Sequence, residues 1–402
     1  MTVVILSGVL RAARRAPRSL PARPLIAGTT KVRLTSLPVP QSTASEIRRS
    51  TASETRPVAS PGAPAGPVWR RSTTGRALGL IACLGVLAVV LLLSLAIGAK
   101  SIPPHSAFDA LFHFDGSDEE LVVRQQRFPR TALGLEVGVA LGLAGALMQA
   151  LTRNPLADPG ILGVNSGASA AVAVAVGFLG LNGTLSYVWF AFAGAALVSV
   201  VVYALGSAGR TAATPVRLAL AGTAVTAALT AFTSAVLLLK PDAFDQFRYW
   251  NVGSVVGRDA SVIWQVMPFV TVGAVLALGL GRSLNALALG EDSGRALGVR
   301  PGRTRALGAL AVTLLCGAAT AAVGPIGFVG LVVPHLARFL TGPDQRWVLP
   351  YSAVLAPALL VGSDVLGRVV ARPGEVEVGI VTAFLGAPVF IALARGGRIS
   401  QL

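Results

Sequence analysis

Arg124, Arg127 and Arg130 recur at spacing three ahead of a long apolar segment, and Pro129 among them suits the first turn of a helix. Guanidiniums along one helical edge are planar forks that match carboxylates on an external protein, and snorkelling anchors at a membrane surface use the same residues. Arg368, after a later apolar segment, is positioned to join them. Catalytic chemistry finds less to work with. His335 follows Pro334 with no Cys, Asp or Glu at ligand spacing, so it reads as a hydrogen-bonded structural residue and no metal site is expected. His105 and His113 carry no pattern. The lysines are Lys31, Lys100 and Lys240, none after a glycine, so there is no nucleotide-binding loop with which this chain would hydrolyse ATP.

The elements that must hold these residues are membrane helices. Hydrophobic residues make up 53% of the 402 and charged ones 13%, with a mean hydropathy of +0.69. A span needs about 20 mostly apolar residues, and ten segments qualify to within a few residues: 77–99, 131–151, 161–180, 187–206, 218–239, 262–281, 306–323, 325–340, 348–366 and 378–394. Their Leu, Ala, Val and Gly run continuously, with none of the period-two alternation of membrane strands. The fold class is therefore an all-α polytopic membrane protein.

The net charge of +16 reports orientation and implies no nucleic-acid partner. Thirteen of the 34 basic residues precede the first span, twelve fall in loops on that same side, and nine on the other. By the positive-inside rule both termini are cytoplasmic. Residues 1–76, rich in Arg, Ser, Thr, Ala and Pro, read as a disordered basic cytoplasmic tail, either dispensable or the result of a start placed upstream of the true one, and 77–402 as the transmembrane domain. Cys83 and Cys316 lie within spans and act as small apolar residues. The outward loop 100–130 is expected to carry a short amphipathic surface helix over 107–114. A second outward segment, 241–260, holds Phe244, Phe247, Tyr249 and Trp250, an aromatic mix that suits an interfacial anchor.

Two stretches break the apolar pattern. Gly324 to Arg338 contains Gly324, Gly327 and Gly330 with Pro325 and Pro334, and Asn154 to Pro159 reads Asn-Pro-Leu-Ala-Asp-Pro. Irregular chain at membrane depth survives only where it packs on protein or lines a cavity, so both stretches mark a pathway or hinge. Each follows a Gly-Ala span, Gly145-Ala146 and Gly317-Ala318, and the two blocks start on opposite sides of the membrane. That is a weak inverted repeat, the arrangement that brackets a transport route. Glu136 and Asp364 sit near span ends and form no intramembrane carboxylate chain, which leaves ion coupling poorly supported. The most charged inward loop, Leu289 to Arg300, mixes polar and apolar residues over about three helical turns. It is either a solvated loop or a docking helix for a cytoplasmic subunit.

These residues together resemble the iron-siderophore and cobalamin (FecCD-type) class of ABC importer permeases, from about residue 77 to the end. The similarity rests on Arg127-Phe-Pro-Arg130, Gly145-Ala-Leu-Met-Gln149, Arg153-Asn-Pro-Leu-Ala-Asp-Pro159, Leu162-Gly-Val164, Trp250-x-x-Gly253-Ser254, Leu289-Gly-Glu291, Leu297-Gly298, Gly324-Pro-Ile-Gly-Phe-Val-Gly330, Pro334-His335, Arg338 and Gly386-Ala-Pro388. Ser101-Ile-Pro-Pro104 is similar to ferric-siderophore permeases of high-GC Gram-positive bacteria. The resemblance implies the type II ABC importer fold and a non-enzymatic, cofactor-free subunit of the bacterial cytoplasmic membrane. Its partners would be a second permease, identical or related, two cytoplasmic ATPases and an extracytoplasmic substrate-binding protein. Arg127, Arg130 and Arg368 match arginines that pair with the binding protein, and Gly290, Glu291, Arg295, Leu297, Gly298 and Val299 match the ATPase-coupling segment at about 289–300. Asn154, Pro155, Pro159, Trp250, Gly324, Pro325, Gly327, Gly330, Pro334 and His335 are the expected translocation or hinge residues. Where relatives read Glu-Leu-Pro-Val-Gly, this chain has Glu375-Val-Glu377-Val-Gly379, which restores a backbone donor and adds charge before the last span. A ferric siderophore is the expected cargo. Alternatives are cobalamin or haem in the same family, an ion-coupled secondary carrier, and, third, an intramembrane enzyme, for which no catalytic set is visible.

Overall fold

The computed structural model describes residues 72–98, 117–181, 184–207 and 215–395, and every regular element among them is helical. The tail up to residue 71 and the surface helix expected over 107–114 lie outside the described residues. α1 (Thr73–Ala96) starts a few residues ahead of the apolar run, because the Ser72 hydroxyl accepts from the Gly75 amide at 3.0 Å and caps it. α2 (Asp118–Val122) passes through a π turn, Val123–Arg127, into α3 (Phe128–Thr152), with Pro129 in its first turn. A 3-10 turn at Pro159–Leu162 leads to α4 (Val164–Leu179), followed by α5 (Thr184–Ser207) and α6 (Pro215–Leu239). Short α7 (Pro241–Asn251) precedes α8 (Ser261–Gly279), α9 (Gly281–Ala288) and α10 (Glu291–Ala296). The chain closes with α11 (Pro301–Val323), α12 (Val329–Thr341), α13 (Gln345–Val370) and α14 (Val378–Arg395).

Seven of these helices are long and apolar enough to cross a membrane, and α4, α12 and α14 are shorter apolar helices. Together they match the ten expected segments. α3 and α11 are the most buried spans, α1 and α6 the least. Lipid gives no hydrophobic drive for helices to pair, so close approach through small residues does the packing. α3 carries such a stripe: Gly138 lies against the Pro357 backbone of α13, and Gly145 against the Gly330 carbonyl of α12.

The repeat is visible as two units of a long helix, a break and a short helix: α3, Arg153–Gly163 and α4, then α11, Gly324–Phe328 and α12. Each short helix is held against the long helix of the other unit. α12 meets α3 through Gly330 and Gly145, and α4 meets α11 through Asn165 Oδ1, which accepts from Thr320 Oγ1 at 2.9 Å. The exchange interlocks the halves. Gly317, the sequence echo of Gly145, instead faces Ala195 and Phe192 of α5.

The aromatic segment is only half an anchor. On α7, Phe244 and Tyr249 are exposed, whereas Phe247 and Trp250 are buried with ring centroids 6.0 Å apart. An eleven-residue amphipathic helix puts every third or fourth residue on the inner face, which sends Phe247 and Trp250 inward together.

Candidate functional site

The functional residues fall into three groups along α3, whose 25 residues span roughly 37 Å. At its N-terminal end, α1 stops with its last carbonyls facing arginines. Arg127 Nη1 donates to Leu95 O and Ala96 O at 2.7 Å each, Arg368 Nη1 to Ser94 O and Ile97 O at 2.9 Å each, and Arg372 Nη2 to Gly98 O at 2.9 Å. A helix end leaves four carbonyls unmatched and a partial negative charge, and guanidiniums answer both. Arg130 grips Asp364 bidentately, at 2.9 Å through Nε and 2.7 Å through Nη2, and reaches Glu375 at 2.7 Å through Nη1. Asp364 also accepts from Arg368 at 2.8 Å. Arg127, Arg130, Arg258, Arg368 and Glu375 share the wall of a cavity of about 460 Å³. The three expected arginines thus converge, though not as parallel forks on one edge. The widened π turn shifts the register before α3, and Arg127 turns onto α1.

Midway, the second broken stretch is pinned on every side. Gly324 has φ +81°, and a Cβ there would overlap the Trp250 carbonyl. Ser254 N donates to Val323 O at 2.8 Å, and Gly379 N to Gly253 O at 3.0 Å. Phe328 takes a left-handed φ of +67° and packs on Gly386 of α14. Within α12, Pro334 has no N–H, so Gly330 O loses its helical donor. Gln149 Nε2 of α3 supplies one at 3.4 Å, and also donates to Leu331 O at 3.1 Å. Arg338 donates to Gln149 Oε1 and to His335 Nδ1, the latter at 3.1 Å. A Cβ at Gly330 would stand 3.3 Å from Pro159 Cδ, so the two broken stretches meet at these residues.

At the far end, Arg153 ends α3 in a left-handed conformation, φ +49°, with Asn154 N bonded to Gln149 O at 3.2 Å and Arg153 N to Ala150 O at 3.4 Å. That is the Schellman pattern with arginine where glycine is usual. Asn154 Oδ1 then accepts from Leu156 N at 2.9 Å, closing a tight turn. The Arg153 guanidinium donates to Leu287 O, the end of α9. The expected three-turn segment over 289–300 is instead the single short helix α10, because Gly290 at φ +113° breaks the chain before it and Gly298 at φ +80° ends it. Gly298 N bonds Arg295 O at 2.9 Å and Val299 N bonds Gly294 O at 3.0 Å, a second Schellman cap. Leu289 and Leu297 are exposed, and Val299 is half-buried. Glu291 pairs with Arg305 of α11 and with Arg295, and the Arg305 hydrogen bond above all holds its carboxyl below the usual range.

The model of the FecCD transport family matches residues 86–396. This chain belongs to that family. The ferric enterobactin transport system permease protein FepD of Escherichia coli is 48% identical over 320 residues, covering 80% of this chain and 96% of that protein. The Fe(3+)-citrate import system permease protein YfmD of Bacillus subtilis is 43% identical over 329 residues, covering 82% and 98%. A chain solved in an inward-facing conformation and assigned to the metal-chelate type of ABC transporter superposes with a TM-score of 0.70 at 25% identity, covering 80% of this chain and 99% of that one. Within the FecCD frame, four residues were given no role by sequence reasoning: Gln149, Asp364, Arg258 and Asn285. Arg258 donates to Ser254 O at 3.2 Å and to Tyr187 Oη at 3.0 Å, and Asn285 to Asp344 at 2.6 Å. A proline four residues after Gly330 was the one available signal, since it announces a carbonyl in need of a donor.

Proposed function

We propose that this chain is the membrane-spanning, non-enzymatic subunit of an ATP-driven importer that carries a ferric siderophore across a bacterial cytoplasmic membrane. The observation that carries the reading is the meeting of Pro159 and Gly330, where two broken stretches cross between the interlocked halves of the repeat. Chain broken at depth by Gly and Pro belongs where a route passes and backbone must move. The names of FecCD relatives, ferric enterobactin and Fe(3+)-citrate permeases, support the cargo class.

In this reading both termini are cytoplasmic, 77–402 is the permease domain, and a second permease completes the route. Leu289 and Leu297, exposed beside Glu291 and Arg295, form the seat of a cytoplasmic ATPase. ATP binding there shifts α9 and α10, and Arg153 on Leu287 O passes the shift to the Asn154–Pro159 turn. At the opposite end the cavity of Arg127, Arg130 and Arg368 receives a binding protein; Glu375, 28% exposed against 4% for Asp364, is the carboxylate that yields to the partner's own.

Reconstitution in sealed vesicles tests this. Uptake of a radio-iron siderophore is expected only when ATPase, binding protein and ATP are supplied, and to survive collapse of the proton gradient. Uptake by this chain alone, driven by an ion gradient, overturns the reading.

A further inference from the structure

A separate cavity of about 410 Å³ lies among α4, α6 and α7, with Asn165, Ser166, Thr226, Thr230, Thr233 and Asn251 in its wall. Phe247 adds an apolar surface, and Pro325 of the second broken stretch closes one side. Among the described residues that line it, none is ionisable. At membrane depth each hydroxyl in this wall needs a partner, because a polar group without one costs free energy there.

Some of these groups are satisfied within the fold. Ser166 Oγ donates to Gly163 O at 3.0 Å and lies 3.3 Å from Thr226 Oγ1, and Asn165 accepts from Thr320. Thr233 is different. It is 7% exposed, and its hydroxyl has no hydrogen-bond partner. A buried hydroxyl in a polar cavity calls for something that enters the cavity.

The chemistry of that occupant follows from the wall. Hydroxyls and carboxamides both donate and accept, so they suit a surface carrying many oxygens and amides. With no fixed charge they neither strip a bare metal ion nor hold a compact anion, each of which needs a charged or multidentate partner. The volume falls within the roughly 300–1,000 Å³ of small-molecule pockets. A route also needs sites that release what they bind, and scattered neutral hydrogen bonds meet that need better than ion pairs.

Building on the importer reading, we infer that this hydroxyl-lined cavity is a transient binding site for the oxygen-rich face of an iron chelate, with Thr233 as its unsatisfied contact. Pro325 in the wall ties its shape to the broken stretch, so movement there reshapes the site.

The test uses the full transporter in vesicles, with Cys83 and Cys316 replaced by alanine, and iron-loaded tris-catecholate, tris-hydroxamate and citrate as probes. Thr233→Cys is expected to react with a membrane-impermeant thiol reagent, and the chelate that the transporter carries is expected to slow that reaction several-fold. Ala260→Cys, exposed in the loop before α8, is expected to react with the same reagent at a rate that the chelate leaves unchanged. Thr233→Val is expected to raise KM for that chelate about five-fold, the worth of one hydrogen bond, while Thr233→Ser restores it. A transporter that carries chelate while Thr233→Cys is unreactive or unprotected, or while Thr233→Val leaves KM unmoved, overturns the site and leaves the importer reading standing. A parent transporter that carries none of the three chelates, with its ATPase and binding protein supplied, overturns both.

Discussion

The side-chain amide of Gln149 donates to the carbonyl of Gly330 at 3.4 Å, and that carbonyl is the one Pro334 deprives of a helical donor. A residue of α3 therefore completes the hydrogen bonding of α12. The same side chain accepts from Arg338, so one glutamine serves a broken backbone and a buried cation together. Its place one turn beyond Gly145, where the two helices approach most closely, makes it a clasp between the halves of the repeat.

Gln149→Leu removes this clasp without opening a cavity. The carbonyls of Gly330 and Leu331 lose a donor and Arg338 loses an acceptor, and each unmade buried bond costs about 1–3 kcal/mol. The melting point of the purified protein in detergent is expected to fall by several degrees, on the order of 3 kcal/mol in stability. An unchanged melting point would show that the clasp is dispensable to the fold.

Arg153 separates backbone cost from side-chain contact. Its left-handed φ of +49° carries a penalty of roughly 1 kcal/mol that glycine escapes, while its guanidinium holds Leu287 O. Arg153→Gly is expected to melt higher than Arg153→Ala by about that amount. Both variants lose the tie to α9, so transporters assembled with either one are expected to consume more ATP at their ATPase subunits per chelate imported. Equal melting points for the two would remove the backbone argument, and an unchanged ratio would remove the relay.

Sequence alone gave the spans because lipid enforces them: a helix must be apolar along its length, and the ten segments emerged within a few residues of their ends. The breaks at Asn154–Pro159 and Gly324–Gly330 were equally plain, since Gly and Pro disrupt locally. Pairing across the bundle was not. Arg368 serves a carbonyl 274 positions earlier, and Arg130 a carboxylate 234 positions later, and no spacing rule links such residues. Trp250 looked interfacial by type and is buried by the helix face it occupies. The length of α10 depends on left-handed glycines, whose φ is fixed only by the cap geometry around them.

Asp364 stands between Arg130 and Arg368, and its side chain is 4% exposed. Asp364→Asn leaves two guanidiniums facing each other with Glu375 as the nearest carboxylate, and breaking a buried pair this way costs about 3–5 kcal/mol. The variant is expected to yield little folded protein. Adding Arg368→Gln to it removes the surplus charge and is expected to recover part of the loss, though Ser94 O and Ile97 O then lose the donor that Arg368 supplies. A double variant no better than the single one would show that capping Ser94 O and Ile97 O outweighs charge balance.

Asp344, in the turn before α13, gives the fold a defined acid limit. Burial alone would raise its carboxyl, but hydrogen bonds from Arg346 and Asn285 outweigh burial and hold it at about 2. Asn285 in turn accepts from Gln345 N at 2.8 Å, so the turn is bound to α9. A carboxyl depressed in the folded state binds its proton more readily once unfolded, so it contributes stability above the unfolded value of about 3.9. That contribution is lost as pH falls from there towards 2. Asp344→Asn is therefore expected to melt below the parent at pH 7, with the gap shrinking steadily between about pH 4 and pH 2. Melting curves of both proteins in one detergent across that range decide it: a gap that stays constant with pH assigns the stabilisation to shape and hydrogen bonding, and one that widens on acidification reverses the sign argued here.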